Sequence, residues 1–108
     1  MLSLFYTTYP NMEIAQKIVE TLLQEKLIAC ANIFEKVNSF YLWQGKICSD
    51  EEVVGILKAP SVNKGDLTQK INEIHPYEVP CIVELPTSSV NDSYEQWLMN
   101  SCAYQQEK

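Results

Sequence analysis

At 108 residues the chain has the length of one domain, 1–108, and its 46% hydrophobic content is enough for a packed core rather than a disordered segment. Its 14 acidic and 8 basic residues leave a formal charge of −6, which repels phosphate backbones and excludes nucleic acid as a natural partner. A chain this short buries only roughly 60–70% of its unfolded surface on folding, so association with other subunits is an obvious way to add burial.

Residues 2–9 are rich in β-branched, aromatic and aliphatic side chains and stop at Pro10-Asn11, which predicts a first strand followed by a helix cap on Asn11. From 12 to 26, Ile14, Ala15, Ile18, Val19, Leu22 and Leu23 recur at three- and four-residue spacing and mark one face of an amphipathic helix. From 28 to 43 there is no helical period but many β-formers. The polar stretch Glu35-Lys36-Val37-Asn38 interrupts them, and a long bent strand is expected. Gln44-Gly45 supplies a tight turn, and a return strand over 46–58 ends at Ala59-Pro60.

A second helix is predicted over 62–74, with Leu67, Ile71 and Ile74 on one stripe, stopping before His75-Pro76 because proline disfavours helical geometry in the preceding residue. A strand over 79–85 lies between Pro80 and Pro86. A last helix runs from 92 to about 104, with Tyr94, Trp97, Leu98 and Cys102 as inward candidates and a frayed tail over 104–108. The order β-α-β-β-α-β plus a C-terminal helix is the split pattern of an α+β, ferredoxin-like antiparallel sheet with two helices on one face.

In the hairpin, Phe40 and Leu42 alternate with Tyr41 and Trp43, so both faces of the strand carry bulky apolar groups. Such a ribbon needs cover, either from another subunit or from the C-terminal helix and Trp97 of the same chain. Cys30, Cys48, Cys81 and Cys102 form no CxxC pair and read as buried free thiols of a reducing compartment. With neither a basic, apolar leader at the N-terminus nor an apolar run of membrane-spanning length, a soluble, cytoplasmic protein without a membrane partner is expected.

The densest chemistry lies in His75-Pro76-Tyr77-Glu78-Val79-Pro80, where two prolines stiffen a connector carrying an imidazole, a phenol and a carboxylate. His75 could ligate a metal or move a proton with Glu78 as its partner, and Tyr77 could donate to a ligand. Equally, the segment is a rigid corner whose polar groups cap nearby backbone. One histidine falls short of a complete single-chain metal site. Cys30 or Cys81 with His75 makes a two-donor start suited to copper, to be finished by acidic side chains or a neighbouring subunit. No nucleophile elbow or glycine-rich phosphate loop is present, so no enzymatic activity is expected. Lys58, at the end of the return strand, is either an anion contact or, more commonly for such a position, a lysine that snorkels to solvent.

Several ordered blocks resemble the divalent-cation tolerance proteins of the CutA family over about residues 4–98. They are Thr8-Tyr9-Pro10, Leu27-Ile28-Ala29-Cys30-Ala31-Asn32-Ile33, Ser39-Phe40-Tyr41-Leu42-Trp43-Gln44-Gly45-Lys46-Ile47, Glu52-Val53, Lys58, His75-Pro76-Tyr77-Glu78-Val79-Pro80, and Tyr94 with Trp97. The resemblance implies a homotrimer similar to the PII signalling proteins, with hairpins and edge strands pairing between subunits. It implies a link to tolerance of copper and other divalent cations, with no required cofactor. Copper-binding members would use the positions of Cys30 and His75, but Ile74 and Thr7 stand here where some members carry a further histidine and a cysteine. Trp43, Lys58, His75, Tyr77, Glu78, Tyr94 and Trp97 then resemble the lining of a ligand cleft between subunits, or the packing of an interface. A PII-like scaffold that binds a small ligand without a specific metal site is the alternative.

Overall fold

The computed structural model describes residues 1–103. The apolar alternation of the N-terminal segment forms β1 (Leu2–Tyr9), and Asn11 caps α1 (Met12–Gln24) by accepting the Ile14 N–H at 2.9 Å. The helix ends two residues before the expected Lys26. There Lys26 adopts φ +58° and the amides of Lys26 and Leu27 return to the carbonyls of Leu23 and Leu22, the paired bonds of a Schellman motif.

β2 (Cys30–Trp43) and β3 (Lys46–Pro60) form the long hairpin, joined at Gln44-Gly45, both with positive φ as a two-residue turn of this type requires. Pairing shifts register between Phe34 and Val37, so the expected break at Glu35-Lys36 is a β-bulge, with Lys36 at φ +60°. A 3₁₀ turn, Ser61–Asn63, precedes α2 (Lys64–Ile74), which stops at His75 as expected. The second helix thus begins two residues later than expected, because the side chain of buried Asn63 donates to the carbonyls of Leu27 and Ala103, a cross-link between distant segments. β4 (Ile82–Pro86) is shorter than predicted. Residues 79–81 belong to the connector, where Pro80 has no N–H for a ladder. α3 (Asp92–Ser101) follows; its expected end at Tyr104 and the expected tail over 104–108 lie outside the described residues.

The sheet order is β2-β3-β1-β4 with every neighbouring pair antiparallel, which is the arrangement expected of the split pattern. Phe5, Tyr9, Val53, Leu57 and Ala59 line one face and pack with Ala15, Ile18, Leu22, Leu67 and Ile71 of α1 and α2. On the other face α3 buries Leu98 completely but leaves Trp97 50% exposed, which corrects the expectation that Trp97 points inward. Tyr9 pairs with Val53, so from Glu52 outward β2 and β3 have only each other and project as a ribbon. The ribbon explains a radius of gyration of 14.8 Å, against about 13 Å for a compact chain of this length. Phe40 and Leu42 are each 72% exposed, Trp43 63% and Ile47 79%, so α3 does not cover them.

Candidate functional site

Where β1 ends, the connector between α2 and β4 turns the corner under the ribbon. His75 is 92% buried there, stacked on Tyr9 with ring centroids 5.4 Å apart and tilted against Tyr77 at 4.7 Å. Its Nδ1 accepts the Tyr77 backbone N–H at 3.1 Å, so the hydrogen resides on Nε2, which donates to the Thr8 carbonyl at 2.8 Å. Both ring nitrogens are therefore engaged with backbone. Beneath them the Thr7 hydroxyl is a donor placed 2.8 Å from both the Tyr9 hydroxyl oxygen and the Gly55 carbonyl oxygen. Burial pushes the Tyr9 phenol above its ordinary pKa.

Tyr77 reaches out of this corner and donates to Glu52 at 2.7 Å, while Tyr41 on the ribbon donates to Asp50 at 2.6 Å. Burial and the Glu52 bond hold the Tyr77 phenol well above its usual range. The bond to Asp50 pushes Tyr41 up to about 12. Tyr41, Trp43, Asp50, Glu52, Tyr77 and Val79 line a groove of about 510 Å³. Burial, and secondarily the charge of Glu52, raises the Cys81 thiol.

A second constellation sits six residues along β3, on the face that α3 covers. Lys58 pairs across the sheet with Cys30 and Leu4, and its Nζ stands 5.6 Å from the centroid of the Tyr94 ring, which in turn lies 5.6 Å from Trp97.

A family model described as CutA1 divalent ion tolerance protein matches residues 3–101. The chain belongs to the CutA family. The divalent-cation tolerance protein CutA of Pyrococcus horikoshii is 48% identical over 94 residues, spanning 87% of this chain and 91% of that protein. The corresponding protein of Thermotoga maritima is 40% identical over 98 residues, spanning 91% and 96%. The crystal structure of the divalent ion tolerance protein CutA1 from Ehrlichia chaffeensis superposes with a TM-score of 0.91 at 41% identity, covering 94% of this chain and 95% of that one.

Within one CutA-family chain the expected cleft residues fall into two groups. Trp43 and Tyr77 share the groove with Glu52; Lys58, Tyr94 and Trp97 form the second cluster; Glu78 is exposed and makes no side-chain hydrogen bond among the described residues. Glu52, Asp50 and Tyr41 were not singled out as site residues in the sequence. Their signal was available in the alternation of the ribbon, which puts Tyr41, Asp50 and Glu52 on one face.

Copper does not fit Cys30 and His75 in a single chain. His75 lies on the α1/α2 side at the level of Thr8, and Cys30 lies on the α3 side at the level of Leu4, about 13 Å away along the strand direction alone. No group of three or more His, Cys, Asp or Glu able to hold a metal ion occurs among the described residues. All four cysteines are free, but each is only partly buried, which corrects the expectation of fully buried thiols. No helix among the described residues is long and apolar enough to cross a membrane.

Proposed function

We propose that the chain acts as a homotrimer similar in architecture to the PII signalling proteins, and that its role in divalent-cation tolerance runs through a ligand cleft between subunits rather than through catalysis. The observation that carries this reading is the ribbon. Phe40, Leu42, Trp43 and Ile47 present apolar surface on both of its faces, and surface of this kind is usually an interface. Three copies in cyclic symmetry cover such ribbons without leaving a free end.

In that arrangement the groove of Trp43 and Tyr77 and the cluster of Lys58, Tyr94 and Trp97 serve as two walls of one cleft supplied by adjacent subunits. The ligand is a small molecule or a weakly held divalent metal such as copper, and a metal there takes donors from more than one subunit. His75 supports a binding scaffold rather than an enzyme, because both of its nitrogens are committed to backbone and neither is available to move a proton. The four free thiols favour a reducing compartment, the cytoplasm.

Copper and zinc titration by calorimetry, on protein whose mass is fixed by light scattering, tests the reading with Cys30→Ala as the comparison. A trimer with saturable binding at a whole-number ratio makes the metal the ligand; a trimer giving only heats of dilution assigns the cleft to a small molecule. A single-chain mass overturns the cleft itself.

A further inference from the structure

Two of the described lysines, Lys58 and Lys70, are partly withdrawn from solvent; the others are exposed. Lys70 has its counter-charge within the chain, with Glu25 at 3.0 Å and Glu73 at 4.0 Å. Lys58 has none. No carboxylate among the described residues lies within 4 Å of its Nζ, and that ammonium makes no hydrogen bond among them. What it does have is the Tyr94 ring at 5.6 Å. An aromatic face attracts and positions an ammonium, yet it leaves the three N–H donors without an oxygen acceptor.

The surroundings are those of a receiving site. Tyr94 and the half-exposed Trp97 make an aromatic wall, and Leu4 and Cys30 flank Lys58 in the adjoining strands. The carboxylates of the ribbon do not compete, since Glu52 is six residues away on β3, about 20 Å along the strand. A chain with a net charge of −6 thus carries a local positive site against an apolar surface.

We propose that Lys58, Tyr94 and Trp97 bind a small organic anion, with its carboxylate or phosphate on the ammonium and its apolar body against the two rings. This rests on the cleft reading above only for the second wall that closes over the ligand. The snorkelling role open to such a lysine leaves unused its contact with the Tyr94 ring and the lack of a counter-charge among the described residues.

The test is calorimetric titration of the full chain with phenyl phosphate, benzoate, inorganic phosphate and, as an uncharged control, benzyl alcohol, with Trp97 fluorescence as a second readout. Mass is measured by light scattering in the same buffer. The proposal expects saturable binding of phenyl phosphate or benzoate, whichever is tighter naming the head group, and none of benzyl alcohol. Inorganic phosphate, lacking the apolar body, binds more weakly. Lys58→Met keeps the stem but removes the charge and weakens binding by about tenfold or more; Lys58→Arg keeps the charge and stays within about threefold.

Absence of saturable binding by either organic anion, or equal affinity in Lys58→Met, overturns the proposal. So does an oligomer that binds no anion and dissociates in Lys58→Met, which gives Lys58 a carboxylate of a second copy as its counter-charge. A monomer that binds phenyl phosphate through Lys58 overturns the trimer and keeps the anion site; a trimer indifferent to every anion does the reverse.

Discussion

Nε2 of His75 stands 2.8 Å from the carbonyl oxygen of Thr8, and this bond ties the start of the α2–β4 connector to the end of a central strand 67 residues earlier. With the Tyr77 amide on Nδ1, the imidazole satisfies two backbone groups at once and sets the direction in which the connector leaves the helix. The role is that of a structural clamp.

His75→Ala therefore leaves the Thr8 carbonyl and the Tyr77 amide without partners and opens a cavity against Tyr9, at a cost of about 2–4 kcal/mol. Urea unfolding in metal-free buffer measures it. His75→Gln, which can still donate to Thr8, loses less. Unchanged stability in both variants removes the clamp.

Alkaline pH probes the phenols. Tyr9, Tyr41 and Tyr77 all have folded pKa values above that of the unfolded chain: Tyr77 and Tyr9 chiefly through burial, Tyr41, at about 12, chiefly through its bond to Asp50. A raised folded pKa gives stability that is complete below the unfolded value of about 10 and is lost as pH rises from there toward the folded value. Urea midpoints are thus flat up to about pH 10 with respect to these groups and fall above it, and Tyr77→Phe makes that fall shallower. A slope identical to wild type in Tyr77→Phe counts against a phenol raised by burial and the Glu52 bond.

Gly55 is held by contact rather than by turn geometry. A Cβ there comes within 2.8 Å of Tyr9 Cε2 and 3.0 Å of Thr7 Oγ1, both buried in the layer between sheet and helices. Gly55→Ala forces the Tyr9 ring to move and lowers stability by about 1–3 kcal/mol, read from thermal unfolding. A neutral result means that the ring has room to shift.

Patterns of short range carried most of the fold into the sequence. The period of α1, the two-sided alternation of the ribbon and the Gln44-Gly45 turn each act over a few residues, and each appears where it was expected. What was illegible depends on partners far away in the chain. Asn63 reads as one residue of the helix predicted over 62–74 until its side chain meets Leu27 and Ala103, and His75 reads equally as a ligand or as part of a rigid corner until its bond to Thr8 decides for the corner. The division of the predicted cleft residues into two groups follows from sheet register, which no local pattern specifies.

Phe40→Ser combined with Leu42→Ser removes apolar surface that nothing among the described residues covers, since both residues are 72% exposed. The fold and its thermal transition in dilute monomeric protein remain, while the association is weakened or lost. A wild-type oligomer in the double variant, measured by sedimentation velocity, takes the ribbon out of the interface.

The most direct measurement is the mass of the wild-type protein in solution by light scattering at micromolar concentration. Three times the mass of the chain, unchanged on dilution, is the result that a ribbon covered by neighbouring subunits requires. A mass of one chain leaves Phe40, Leu42, Trp43 and Ile47 in water and contradicts the account.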